Sequence, residues 1–293
     1  MLTRQKTLHE MHSPFGDIPP VNTGREESYM KKIAVITGAS TGLGREFVRI
    51  IRDKREIDEI WAIARHRDKL DRLRRQMGAK IIPIPMDLSD PSRIEELGHR
   101  LAQSGVEICY LINNAGYAKF CSYGDLNVSD SLNMINLNIG GVVAMGLTCI
   151  PYMPVGSHII NIASQAAFQP LPYQNLYSST KAFVRNYTRA LHVELKDRGI
   201  SATAVCPGWL KTDLYDRAEI GAAKATSNFF GMTAPDRVAR KAVADADKGR
   251  DLSIYGLYVN FCHIGAKLLP QRTVMKIWLR QQRIDPYSRP SQQ

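Results

Sequence analysis

Ile33-Ala-Val-Ile36, Thr37-Gly-Ala-Ser-Thr-Gly-Leu-Gly44 and Arg45-Glu-Phe-Val-Arg-Ile-Ile-Arg52 follow one another without a break. The first is a short β-branched run, the second a turn with three glycines, the third an octet whose apolar residues recur at helical spacing. Strand, tight turn and helix in that order form the opening half of a βαβ unit, and the rest of the chain repeats the rhythm. Ile60–Ala64, Ile81–Met86, Ile108–Ile112, His158–Ala163, Ser201–Cys206 and a last run near Leu252–Tyr255 read as further strands separated by helical stretches. Strands alternating with helices over more than 200 residues imply an α/β fold, a doubly wound parallel sheet of the Rossmann type.

The flanks differ. Residues 1–29 are polar, carry Pro14, Gly16, Pro19 and Pro20, and lack an apolar core that would serve as a signal peptide. They read as an N-terminal extension to a single domain over 30–262. Residues 263–293 hold six Lys/Arg and one acid and read as a basic amphipathic helical appendage, in which Arg272, Lys276, Arg280 and Arg283 form a basic stripe and Val274, Met275 and Trp278 an apolar patch. Packing of that segment on its own domain or a partner subunit is favoured over peripheral contact with an anionic membrane. No 18-residue run reads as apolar enough to span a bilayer.

Lys+Arg 39 against Asp+Glu 28 gives a net charge of +11, an excess that suits an anionic cofactor, nucleic acid or lipid without choosing among them. No aromatic-basic motif supports a nucleic-acid module. The five cysteines, 109, 121, 149, 206 and 262, are scattered, with no CxxC and no Cys/His cluster, so a disulfide framework and a metal site are both disfavoured and reduced, cytoplasmic cysteine is expected.

The turn Gly38-xxx-Gly42-x-Gly44 suits a pyrophosphate, because glycine lets the backbone approach closely and a helix start offers free N–H groups and positive dipole. An acid some 20 residues on would bind a ribose 2′-hydroxyl; here Ala64 and Arg65 stand there, which favours the 2′-phosphate of NADP(H) and still admits NAD(H). Farther on, Tyr177 and Lys181 lie four apart and share a helix face if the chain is helical from about Tyr177. A cation beside a phenol favours phenolate and brings a weak acid toward working range.

Further segments complete an ordered series: Met86-Asp87-Leu88, Asn113-Asn-Ala-Gly116, Asn138 within Leu132–Val143, Ser164 thirteen residues before Tyr177, and Pro207-Gly208-xxx-Thr212. From about Lys32 to Thr212 the chain resembles the classical short-chain dehydrogenase/reductase family, including its hydroxysteroid dehydrogenase-like members. The resemblance implies a coenzyme turn at Gly38, Ser40, Thr41, Gly42, Leu43 and Gly44, and adenine contacts from Asp87 and Leu88. It implies that Asn114, Ala115 and Gly116 lie beside the cofactor, and that Pro207, Gly208, Leu210 and Thr212 hold the nicotinamide amide. Ser164, Tyr177, Lys181 and Asn138 are the implied catalytic set, with Tyr177 and Lys181 also touching cofactor and Asn138 anchoring a relay water; Asn136 and Asn133 are alternatives to Asn138.

The family implies hydride exchange between a nicotinamide and a ketone or secondary alcohol, often by dimers or tetramers. Trp209, Leu210, Leu214, Tyr215, Phe229, Phe230 and Met232 fall where relatives cover the substrate, so an apolar or steroid-like ketone is expected, with fatty or other aliphatic ketones next. Tyr117, Phe168 and Tyr173 are candidates for the same cleft, and Gln165 and Gln174 for its polar contacts. The spacing of the glycines disfavours sugar-nucleotide epimerisation, and that of Tyr177 and Lys181 disfavours enoyl reduction. A non-catalytic dinucleotide sensor or scaffold on this fold is the alternative from another class, against which the intact Ser164, Tyr177 and Lys181 argue.

Overall fold

The computed structural model describes residues 30–212, 218, 226 and 228–284. The N-terminal extension and the last nine residues therefore lie outside the described residues, as do Leu214 and Tyr215 of the expected substrate cover.

Seven strands form one sheet in the order β3-β2-β1-β4-β5-β6-β7, every neighbouring pair parallel. They are β1 (Lys31–Thr37), β2 (Glu59–Ala64), β3 (Ile81–Pro85), β4 (Val106–Asn113), β5 (His158–Ile162), β6 (Ser201–Val205) and β7 (Leu252–Ser253). Around them run α1 (Gly42–Arg52), α2 (Arg67–Met77), α3 (Pro91–Ser104), α4 (Val128–Ile135), α5 (Gly141–Cys149), α6 (Asn175–Glu194), α7 (Pro235–Asp247), α8 (Leu257–Leu268) and α9 (Gln271–Gln282). The doubly wound reading of the sequence holds.

Side chains of β1 alternate between two cores, because successive residues of a strand face opposite sides. Ala34 and Ile36 pack with Phe47, Val48 and Ile51 of α1 and with Val238 and Ala242 of α7. Ile33 and Val35 pack with Ile94, Leu97 and Leu101 of α3 and with Met145 and Cys149 of α5. Burial on both faces explains why β1 reads as a continuous apolar run. Chain order reverses between β1 and β4, so their carboxyl ends open a crevice, and every motif of the sequence reading runs toward it.

Three features differ from the sequence reading. The expected helix Leu132–Val143 is interrupted: between α4 and α5 the five residues Asn136–Gly140 form a π turn, and the Gly141 N–H reaches back to the Asn136 carbonyl. The whole stretch Val128–Tyr152 has a mean hydropathy reaching 1.5 and is long and apolar enough to cross a membrane, contrary to expectation; in this fold one face of it packs on the protein, burying Met134, Asn138, Met145 and Cys149, while Val128, Leu132 and Leu147 are exposed. The expected boundary at residue 263 falls inside α8.

Candidate active site

The turn after β1 carries the crevice floor. Gly38 and Gly42 adopt φ of +62° and +53°, a region where a side chain is strained. A Cβ on Gly44 would stand 2.1 Å from the Gly38 carbonyl oxygen, so the third glycine serves the close packing of turn on helix and does not line the cleft. Asn114 fastens the turn from β4: its Nδ2 donates to the carbonyls of Thr37 (3.1 Å) and Gly38 (3.2 Å). The Thr37 hydroxyl accepts from the backbone N–H groups of Asn114 and Ala115 at 2.9 and 3.0 Å. At the start of α1 no side chain caps the helix and no acid occupies its first turn. These exposed N–H groups fit an anionic pyrophosphate.

A cleft of about 550 Å³ runs from this turn across the sheet edge. Gly38, Ser40, Thr41, Gly42, Leu43, Arg65, Asp87, Leu88, Asn114, Ala115 and Gly116 line it together with Ser164, Tyr177, Lys181, Pro207, Gly208, Leu210 and Thr212; a Cβ on Gly42 would lie 3.4 Å from Thr212, and one on Gly116 3.5 Å from Lys181 Nζ. Of the expected site, only Gly44 and Asn138 stand outside it. Sequence reading missed His66 and Lys69, which join Arg65 on the same wall; the signal was present in the basic start of α2. Asp87 is partly buried, which works against its charge, yet bonds from the Ser89 N–H and hydroxyl and the nearby Arg65 charge hold its carboxyl below the usual range.

At the reactive end, Asn175–Glu194 forms the helix that sets Tyr177 and Lys181 on one face. Ser164 follows β5; its Oγ accepts from the Ala166 N–H at 3.1 Å, which leaves its O–H to donate. It is hydrogen-bonded to the Tyr177 phenol. Burial is the largest influence on that phenol and pushes its pKa up; the Ser164 bond pulls down and the buried Cys206 adds a further push upward. The net shift is therefore upward: burial outweighs the pull toward phenolate expected from a neighbouring Lys181. The Lys181 ammonium is buried, lies 5.9 Å from the centre of the Tyr177 ring, and donates to the Ile162 carbonyl at 2.8 Å. Its own pKa is lowered by burial to about 8.

Asn138 is wholly buried in the π turn. Its Oδ1 accepts from the Tyr117 N–H (3.1 Å) and its Nδ2 donates to the Tyr117 carbonyl (2.9 Å) and to Thr180 Oγ1 (3.2 Å). Both amide donors are thereby engaged, so the side chain braces the loop after β4 to α6. Asn133 accepts from the Tyr117 hydroxyl at 3.1 Å and lines the cleft, while Asn136 does not.

Aromatic side chains wall the mouth. Phe120 meets the Tyr177 ring at 6.0 Å and the Trp209 ring at 6.1 Å, both edge to face, and Phe229 stacks edgewise on Trp209 at 4.9 Å. Tyr117, Gln165, Gln174 and Leu171 line the cleft as well. Phe168 does not: it turns to stack on His263 at 4.1 Å. Tyr173 packs behind, in the cluster of Ala118, Phe120, Tyr177 and Trp209. The amphipathic tail also reaches the site. Trp278 of α9 is buried with Ala166 and Leu171 and donates from Nε1 to the Pro172 carbonyl at 3.1 Å. Among the described residues, no three His, Cys, Asp or Glu side chains stand together as a metal site.

Residues 32–221 match the family described as short chain dehydrogenase, and the chain belongs to it. An uncharacterised oxidoreductase of Staphylococcus epidermidis is 27% identical over 217 residues, 71% of this chain and 94% of that protein. Among solved structures, a short-chain dehydrogenase from Sphingobium yanoikuyae in complex with NADPH superposes with a TM-score of 0.67 at 23% identity, covering 89% of this chain and 99% of that one. A short chain dehydrogenase/reductase from Burkholderia phymatum in complex with NAD gives 0.71 at 19%, covering 90% and 99%. These structural likenesses establish the fold. With the family and the site together, the chain is a nicotinamide-dependent oxidoreductase.

Proposed function

We propose that the protein is a cytoplasmic, NADP(H)-preferring reductase of apolar or steroid-like ketones, equally able to oxidise the corresponding secondary alcohols. The observation that carries this reading is the meeting of Ser164, Tyr177 and Lys181 at one end of a cleft whose mouth is walled by Phe120, Leu171 and Trp209. When bound, a nicotinamide cofactor supplies or takes the hydride. Gly38, Thr41 and Gly42 would hold its pyrophosphate, and Arg65, His66 and Lys69 would face an anionic ribose substituent.

Negative charge grows on the substrate oxygen as a ketone is reduced, and the chain's groups act where that charge develops. Tyr177, kept protonated by burial, is placed to donate a proton to that oxygen. Ser164, whose Oγ accepts from the Ala166 N–H and which is hydrogen-bonded to Tyr177, would turn its O–H to the same oxygen; one such donor is worth about 3 kcal/mol in acyl-transfer enzymes. The Lys181 charge is held close by the Ile162 carbonyl and favours the phenolate left behind once the proton has moved. General acid catalysis of this kind contributes roughly 10²–10⁴-fold.

Exposed apolar residues on α4 and α5 (Val128, Leu132, Leu147) and on α6 (Phe183, Val193) support self-association across these helices as a dimer or tetramer. The test of the catalytic reading is a screen of keto-steroids and aliphatic ketones against NADPH and NADH. Turnover of apolar ketones is expected, with kcat/KM at least about tenfold higher for NADPH. A preference for NADH overturns the role of Arg65, and exclusive turnover of small charged substrates overturns the apolar assignment.

A further inference from the structure

The helix α8 carries its apolar residues on the wrong side for a core. Leu257, Phe261, Ile264 and Leu268 fall at helical spacing on one face, and are 91%, 75%, 55% and 78% exposed. The opposite face meets the protein: Val259 is buried and packs with Ala163, Cys206 and Ile254, and His263 stacks on Phe168. The stripe continues past the helix into Leu269, 43% exposed. Single exposed apolar residues are ordinary; four in register on one helix form a surface that calls for an occupant.

Charge identifies that occupant. From Leu252 to Ile284 the chain has no Asp or Glu and five Lys/Arg: Lys267, Arg272, Lys276, Arg280 and Arg283. All five are exposed. Arg185 of α6 adds to them on this side, while Arg189 is paired with Asp251 at 2.6 Å: burial first, then the charges of Lys267, Arg185 and Arg189, hold the His263 imidazole below its ordinary pKa. An apolar stripe within an acid-free, cationic segment matches the boundary of an anionic bilayer, where apolar side chains enter the acyl region and Lys/Arg meet lipid phosphates. A second copy of the same segment would bring five like charges against five, which disfavours self-pairing.

We propose that α8 and α9 dock the protein on an anionic lipid surface, with Leu257, Phe261, Ile264 and Leu268 inserted and the Lys/Arg residues at the headgroups. The docking element is continuous with the site, since α9 places Trp278 against Leu171 and Val259 packs under Gly208, where a Cβ would meet it at 2.8 Å. Docking would therefore bring the apolar mouth to the membrane, a source of apolar substrate. This last step rests on the proposed ketone reduction, whereas docking itself does not.

The test sediments the full chain with phosphatidylcholine vesicles, with and without about one third phosphatidylglycerol. The full chain is expected to pellet with the anionic vesicles and to stay in solution with the neutral ones. Leu257→Glu/Phe261→Glu/Leu268→Glu is expected to bind them at least about tenfold more weakly while keeping its circular dichroism and NADPH affinity, because these side chains lie outside the core. Lys276→Glu/Arg280→Glu is expected to lose the preference for phosphatidylglycerol. Equal pelleting of the full chain and the triple variant overturns the proposal. So does a full chain that ignores both vesicles, and if sedimentation equilibrium then shows the triple variant at half the native mass, the stripe is a contact between copies. Failure of ketone turnover with intact vesicle binding would overturn the reductase reading alone.

Discussion

Asn138 grips the peptide unit of Tyr117 from both ends, accepting from its N–H at 3.1 Å and donating to its carbonyl at 2.9 Å. The remaining amide proton goes to Thr180 Oγ1, and the residue has no solvent exposure. A side chain so engaged is a positioning element that ties the loop after β4 to the helix bearing Tyr177. Asn138→Ala would leave the part-buried N–H and carbonyl of Tyr117 without these partners, at up to about 1–3 kcal/mol each. The urea midpoint should fall clearly with an unchanged m-value, and kcat should fall with it. Unchanged stability would remove the brace and return Asn138 to a purely catalytic part.

Lys181 sets a pH dependence whose sign can be worked out. Burial lowers its pKa from 10.5 to about 8. The folded state therefore binds fewer protons than the unfolded chain between those values, and this group's contribution to stability rises with pH across that window. Its cost is fully present below pH 8, about 3 kcal/mol before the bond to Ile162 is credited. In kinetics, which report the free enzyme through kcat/KM, ketone reduction should fall as pH rises through about 8 and the ammonium is lost. Lys181→Arg stays charged and should show no limb there, at a lower overall rate. A native profile flat from pH 7 to 9 would exclude this titration.

Glycine 44 and glycine 140 should answer alanine in opposite ways. At Gly44 the new Cβ would lie 2.1 Å from the Gly38 oxygen, in the coenzyme turn, and 2.6 Å from Asn114 Nδ2, which fastens it. The turn must open, so NADPH affinity should fall more than about tenfold, with a lower melting temperature. At Gly140 a Cβ meets nothing within 4 Å and the backbone is helical, so alanine should be neutral or stabilising by up to about 1 kcal/mol. Fluorescence titration with NADPH and thermal melts of the two variants check both halves.

The parts of the site legible in the sequence are those set by local rules. Glycine spacing between a β-branched run and an amphipathic helix places the turn at Gly38–Gly44, and four-residue spacing brings Lys181 beside Tyr177. Three properties escaped because they arise from contacts distant in sequence. The Tyr177 pKa depends on burial beneath neighbours such as Phe120 and Trp209, which a helix-face argument does not contain. The π turn at Asn136–Gly140 is held by contacts of Asn138 to Tyr117 and Thr180, and no propensity marks it. Trp278 was legible as part of an apolar patch, but its partner Pro172 lies 106 residues away.

That distant contact is half of a clamp. The Gln282 side chain accepts from the Asn228 N–H at 3.0 Å and donates to the Asn228 carbonyl at 3.2 Å, while Trp278 holds the Pro172 carbonyl. One helix thus fixes the loop before α6 and the segment next to Phe229, whose ring packs on Trp209 at the mouth. Neither contact reaches the coenzyme turn, so the two ends of the cleft should separate in kinetics. Gln282→Ala and Trp278→Ala should raise the KM for an apolar ketone by about tenfold and leave the NADPH Kd within about twofold. Trp278→Phe keeps most of the packing and loses the bond to Pro172, about 1 kcal/mol, and should fall between. If Trp278→Ala leaves the ketone KM unaltered, α9 does not shape the substrate end of the cleft.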